Sequence, residues 1–166
     1  PIVKLISDDI TGTIINVQLP GIRIKEFEAD GIQYNSISLG DEAITTEVGL
    51  PELPHIAKIL AIPDQGMISV EVIETGIVKI IKGINLSPVR ESWFEGEPET
   101  KFMENVSAYS SMNVYPAELV SVEDPIIFRD FRIARVSIFP LRYTPAKKEI
   151  EVLTSITIRI KYGDGL

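Results

Sequence analysis

Hydrophobic and polar residues alternate with a period of two along much of this chain. Ile15, Val17 and Leu19 alternate with Ile14, Asn16 and Gln18, and Ile68, Val70 and Val72 with Ser69 and Glu71. Near the C-terminus, Ala134, Val136 and Ile138 alternate with Arg135 and Ser137, and Ile156, Ile158 and Ile160 with Thr157, Arg159 and Lys161. A period of two puts each set on its own side of a pleated sheet, one side buried and one wet. No stretch carries the sustained 3.6-residue stripe of a long helix. Turn signals separate the alternating runs at intervals typical of sandwiches and barrels. The pattern predicts an all-β fold: an antiparallel β-sandwich or partly closed barrel with a long irregular loop near residues 85–118.

In order, residues 1–6 read as extended, with Ser7-Asp8-Asp9 breaking them. After the strand at 14–19, Pro20-Gly21 turns the chain, and residues 22–29 read as the partner strand. Asp30-Gly31 is a hairpin signal before a further strand at 32–39. Gly49, Pro51, Leu53 and Pro54 then fall close together. Proline cannot donate to a ladder, so this part crosses between sheets or runs along an edge. Residues 55–62 resume as an apolar strand. Thr75-Gly76 breaks the strand at 68–74, and Val78 and Ile80 continue it. Residues 85–118 carry few hydrophobics and many glutamates, with the sole tryptophan, Trp93, beside Phe94. Such a long aperiodic connection is usually functional or mobile. A short helical turn fits within 101–111.

The stretch 124–145 organises the rest. Asp124-Pro125 is a turn signal, Arg129 and Arg132 flank Asp130, and a strand follows that Pro140 stops. Tyr143-Thr144-Pro145-Ala146 turns the chain, which returns over 149–162 to complete a hairpin.

At 166 residues, with 45% hydrophobic content, the chain suits a single domain spanning 1–166 with a sizeable core. Its net charge of −8 argues against nucleic acid, whose binders need a basic face. The apolar runs are too short to insert in a membrane. There is no cysteine, which removes disulfides and thiolate chemistry.

Little else carries chemistry. His55 is the only histidine; a Ser/His/Asp site would need it, with Ser36, Ser38 or another serine as nucleophile, yet no nucleophile elbow accompanies it. Asp8, Asp9 and Asp164 lack the spacing of a calcium loop. No cofactor or metal is expected. Arg129 and Arg132 fit an internal ion-pair or backbone-carbonyl clamp better than a partner contact. Trp93-Phe94 is either an exposed anchor or a small cluster tucked under its loop.

The run DPIIFRDFRIARVSIFPLRYTP, followed by the strand EVLTSITIRI, resembles the N-terminal propeptide domain of gingipain-type cysteine peptidases. The matching residues are Asp124, Pro125, Arg129, Asp130, Arg132, Val136, Phe139, Pro140, Leu141, Tyr143 and Pro145. Gly49-x-Pro51-x-Leu53-Pro54 resembles a second signature of that family. The resemblance implies a secreted or cell-surface bacterial protein whose β-rich pro-domain precedes a caspase-like catalytic domain with a Cys/His dyad. The segment itself is then no enzyme. Its partner is its own downstream peptidase domain, for which it acts as intramolecular chaperone and latency-keeping inhibitor, and residues 163–166 begin the linker. In that family a basic residue on a pro-domain loop enters the specificity pocket. Here Glu95 stands near that position, with Arg90 the nearest basic residue and Lys101 further on. The inhibitory or processing candidates are therefore Arg90, Trp93, Phe94, Glu95 and Lys101, with trypsin expected to nick first at Arg90 or Lys101. The residues alone also fit a surface β-sandwich module with a glycan or protein ligand.

Overall fold

The computed structural model describes residues 1–163. In chain order its strands are β1 (Ile2–Asp9), β2 (Gly12–Gln18), β3 (Arg23–Ala29), β4 (Ile32–Ser38), β5 (Ala43–Ile44), β6 (Pro54–Ala61), β7 (Ile68–Thr75) and β8 (Val78–Lys82). A single helical turn, α1 (Val106–Tyr109), precedes β9 (Val120–Val122), β10 (Ile126–Phe128), β11 (Phe131–Ile138), β12 (Leu141–Thr144), β13 (Glu149–Leu153) and β14 (Ser155–Tyr162). The all-β expectation holds, and the sheets remain open rather than closing into a barrel.

One sheet has the order β1-β2-β14-β7, and a second the order β10-β11-β6-β5 with β9 also against β11. Their alternating isoleucines and valines meet in one core: Ile15, Val17, Ile56, Val136, Ile138, Ile156, Ile158 and Ile160. A third sheet, β12-β13-β8, and the ribbon β3-β4 share another core, built on Leu53, Leu86, Leu141, Tyr143 and Ile150. Each wholly buried side chain of this kind contributes roughly 1.5–3 kcal/mol.

The chain passes from the first sheet to the second half of the molecule at one crossing. The Leu19 amide donates to the Thr154 carbonyl at 2.9 Å, and the Thr154 amide donates to the Ile77 carbonyl at 3.0 Å. Residues 19, 77 and 154 lie on the β2–β3, β7–β8 and β13–β14 links, so three sheet changes are tied together.

That crossing corrects several sequence expectations. The strand β3 is not the partner of β2; β2 pairs with β1 and β14, while β3 pairs with β4. Residues 149–162 are not one strand returning on 124–145. Thr154 divides them, with β13 pairing β12 and β14 joining the opposite layer. The segment with Val78 and Ile80 does not continue β7. It belongs to the third sheet, with both residues exposed and Ile81 turned to the core. Ser7-Asp8-Asp9 does not break the first strand, which runs to Asp9 with a register shift between Leu5 and Ser7. Asp30-Gly31 does make the predicted hairpin: both residues have positive φ, 52° and 78°, as a two-residue primed turn demands.

Candidate functional site

Residues 85–90 are not loose. They run as an extended strip between β4 and the turn at 49–52. Asn35 and Ser87 donate to the carbonyls of Asn85 and Asn35 at 2.7 and 3.1 Å, and Glu52 donates to Ser87 at 3.0 Å. Val89 and Gly49 complete the strip, donating to Leu50 and Val89, each at 2.9 Å.

Gly49 braces the returning limb as well. Its carbonyl accepts from the Asn105 amide at 3.0 Å. Its φ is +85°, and a Cβ here would stand 3.4 Å from Asn105 atoms. That distance is ordinary contact, so it is the positive φ that favours glycine here. Pro51 bridges to Pro88. The Thr45 hydroxyl donates to the Pro51 carbonyl and accepts from the Leu53 amide, each at 3.0 Å. Leu53 is wholly buried, and Pro54 opens β6. The Gly49-Pro51-Leu53-Pro54 element thus holds the base of a loop.

The loop itself is 91–100. Arg90 organises it from below, as its guanidinium lies over the Trp93 ring at 4.6 Å and the Phe102 ring at 4.4 Å. It also donates to Glu99 Oε2 at 3.1 Å and to the Thr100 carbonyl at 3.3 Å. Phe102 rests in turn on Phe27 and Tyr34, each with ring centroids 5.5 Å away. At the tip the Glu97 amide donates to the Phe94 carbonyl at 3.0 Å. Glu95 and Gly96 occupy the corner, with Gly96 at φ +88°. Phe94 is 80% exposed and Trp93 39%. Trp93 thus lies against Arg90 while still partly exposed, and Phe94 stands in solvent.

The electrostatics are one-sided. Glu91, Glu95, Glu97 and Glu99 are exposed, whereas Arg90 is folded inward. Burial raises the Glu52 carboxyl above its usual range, and the nearby Arg90 guanidinium opposes that rise. Lys101 is exposed on the returning limb. An open cavity of about 280 Å³ flanks the base, lined by Val48, Val89 and Met103 among others.

The structure brings Arg90 and Trp93 together and sets Phe94 and Glu95 at the exposed tip. The remaining motif residues lie elsewhere. Arg129 and Asp130 form the β10–β11 turn, with Arg129 at φ 55°. Arg132 donates to the carbonyls of Pro63 and Gly66 at 3.0 and 2.9 Å, a backbone clamp. Asp124 and Pro125 lead into β10. The Pro140 carbonyl accepts from Leu153 at 2.8 Å. Tyr143 is wholly buried and donates to the Ile84 carbonyl at 2.8 Å. Pro145 opens a 3-10 turn, Pro145–Lys147. Sequence reasoning missed Phe27, Tyr34 and Phe102. The Asp30-Gly31 turn held the signal, since counting outward from it pairs Phe27 with Tyr34.

His55 is buried and stacked on Phe139 with ring centroids 5.0 Å apart, and its Nδ1 has no hydrogen-bond partner among the described residues. Burial, and then the Arg135 charge, hold its pKa below the usual imidazole range. It borders an open cavity of about 320 Å³ with Ser121 and Ser137, whereas Ser36 and Ser38 lie on β4, away from it. Asp8 Oδ1 accepts from the Thr13 hydroxyl at 2.6 Å, and Asp9 Oδ1 accepts from the Thr11 amide at 2.7 Å. Both carboxylates thus serve the β1–β2 hairpin, and Asp164 lies outside the described residues. No cluster of three metal-ligating side chains occurs among the described residues. No described helix is long and apolar enough to cross a membrane.

Fold and site together define an all-β domain that presents a braced, acidic and aromatic loop. The chain matches the Propeptide_C25 family profile over residues 1–165 and belongs to that family, the propeptides of gingipain-type cysteine peptidases. Having no cysteine, the segment cannot supply a thiol nucleophile. Gingipain R1 of Porphyromonas gingivalis is 29% identical over 116 residues, covering 69% of this chain and 12% of that protein. Lys-gingipain of the same organism is 26% identical over 149 residues, covering 85% of this chain and 8% of that protein. The chain therefore spans a small fraction of these relatives. Its fold matches that of a chain in the complex of Porphyromonas gingivalis RgpB pro- and mature domains, with a TM-score of 0.88 at 21% identity over 98% of this chain and 88% of the other. A structure on the zymogenic latency of gingipain K from Porphyromonas gingivalis matches with a TM-score of 0.82 at 23% identity, over 96% of this chain and 91% of the other.

Proposed function

We propose that this domain holds a downstream gingipain-like cysteine peptidase latent by laying the 91–100 loop across its active-site cleft until the connection is cut, and that it assists that peptidase to fold. One observation carries the reading: an exposed tip is held in one shape from both limbs, by Gly49 below and Arg90 within. A pre-ordered loop loses little entropy on binding, the requirement for an inhibitor that must not rearrange in a protease cleft. The residues that reach outward are Phe94 and Glu95, with Glu97 behind them. Arg90 is sequestered, so occlusion here uses aromatic and acidic contacts rather than an inserted basic side chain. Trp93 and Lys101 shape and flank the tip. In this reading residues 1–166 form one domain with the linker starting at 163, in a protein that is secreted or held at a bacterial surface.

The test is inhibition in trans. The catalytic domain is produced separately and titrated with this chain. Inhibition at micromolar concentration or below is expected, weakened by Phe94→Ala and Glu95→Ala. An absence of binding at micromolar concentration refutes the proposal.

A further inference from the structure

This inference deepens the reading above and rests on a peptidase domain following the chain. The hairpin β10–β11 runs past its own sheet: β6 pairs β11 only from Ile133 onward, so Phe128 and Phe131 pair solely with each other. Its turn is the charged pair Arg129-Asp130, with the Arg129 guanidinium 5.6 Å from the centre of the Phe128 ring, but the limbs behind it are apolar and largely exposed. Ile126, Ile127, Phe128 and Phe131 are 57–71% exposed. Residues opposite one another share a face, so Ile126, Phe128 and Phe131 lie on the outer side of the sheet. Exposed Ile59, opposite Arg135 on β6, continues that side. An apolar patch of this kind on a chain otherwise rich in charge marks a contact surface.

The end of the chain indicates what covers it. Arg132, at the foot of the hairpin, grips the carbonyls of Pro63 and Gly66. The Gly163 amide donates to the Met67 carbonyl at 2.7 Å. Residues 63–67 thus join the hairpin to the exit of β14 and set Gly163 on the hairpin's side of the molecule. A tethered domain is present there at a high effective concentration. The braced loop stands at the other end: β6 runs eight residues from beside Leu53 toward the hairpin, about 26 Å at the rise of a strand. A short peptide cannot cover both ends, whereas a folded domain can.

We infer that the β10–β11 tip is a second docking point for the domain that follows this chain, separate from the 91–100 loop. Hydroxyl-radical footprinting tests this by comparing the uncleaved parent with residues 1–166 alone. Phe128 and Phe131 report the hairpin, and Trp93 and Phe94 report the loop. In the parent, labelling of Phe128 and Phe131 should fall about fivefold or more, as expected where an interface excludes water. Equal labelling in both samples overturns the inference, whatever the loop does. Protection of Trp93 and Phe94 without the hairpin leaves the cleft reading standing and removes this one. Protection of the hairpin without the loop does the reverse.

Discussion

Replacing Arg90 by Met keeps the aliphatic stem and removes the planar charge. The structure sets the scale of the effect. The Glu99 pair is exposed on the glutamate side, so it contributes about 0.2–1 kcal/mol. The two ring faces, Trp93 and Phe102, add about 0.5–1 kcal/mol each. The long bond to the Thr100 carbonyl adds little. Together they hold the loop by about 2 kcal/mol, near a 30-fold change in its open fraction. Trp93 is the sole tryptophan, so acrylamide quenching of its fluorescence reads the loop directly. Arg90→Met should raise quenching and speed chymotryptic cleavage at Trp93 and Phe94 by roughly an order of magnitude, with the strand cores unaffected. Arg90→Lys should fall between, since an ammonium cannot stack as a guanidinium does. The loss should also depend on pH. Glu52 has a raised pKa in the fold and is neutral in acid, where removing Arg90 costs it nothing. At neutral pH its half-buried carboxylate loses its counter-charge. The destabilisation by Arg90→Met should therefore be larger at pH 7 than at pH 4. Unchanged quenching and cleavage would show that Arg90 does not order the loop.

Gly49→Ala and Gly31→Ala both place a side chain at positive φ, costing about 1–2 kcal/mol. At Gly49 the new Cβ meets Asn105 and Met103 only at ordinary contact distance, 3.4–3.5 Å, so urea melts should show similar losses for the two variants, whereas faster hydrogen exchange over residues 89–105 should follow Gly49→Ala alone; no local change there would count against the brace. His55 is held neutral by burial, so as pH falls below about 6.5 the unfolded chain takes up a proton that the fold resists. Stability should drop by at most about 1.4 kcal/mol per pH unit from this group, and His55→Phe should flatten the slope between pH 7.5 and 5.5; an unchanged slope refutes the assignment. Limited trypsin should cut first at exposed Lys101 rather than at sequestered Arg90, revising the sequence expectation that allowed either; a first cut at Arg135 or Arg159, inside β11 and β14, would contradict the fold.

The strands were legible because each alternation reports a local fact. Ile156, Ile158 and Ile160 share a face wherever β14 ends up, and they are all wholly buried. The partners were not legible. Thr154 carries no break signal, yet there the chain leaves one sheet for another, because its amide and carbonyl meet Ile77 and Leu19 from distant links. Nothing near residue 154 in the sequence records those partners. Ile80 and Ile81 illustrate the same limit: two adjacent isoleucines give no indication which faces inward until the third sheet fixes it.

The loop separates two kinds of information. Gly49, Pro51, Leu53, Pro54, Arg132, Pro140 and Tyr143, the residues by which the family could be recognised, brace turns, fill the core or bind main-chain carbonyls. Each answers a geometric demand that few residue types meet: a positive φ, a missing donor, a hydroxyl reaching the Ile84 carbonyl, a two-pronged clamp on Pro63 and Gly66. At the tip, Gly96 answers the positive φ of the corner and the Glu97 carboxylate accepts from the Phe94 amide at 3.4 Å. Phe94 and Glu95 satisfy no internal bond that another side chain would fail to satisfy, so the fold does not explain them. Under the proposed function, their identity answers to the surface they meet. The motif therefore identifies the scaffold from sequence, whereas the loop that the proposed function lays in the cleft answers to no demand of that scaffold.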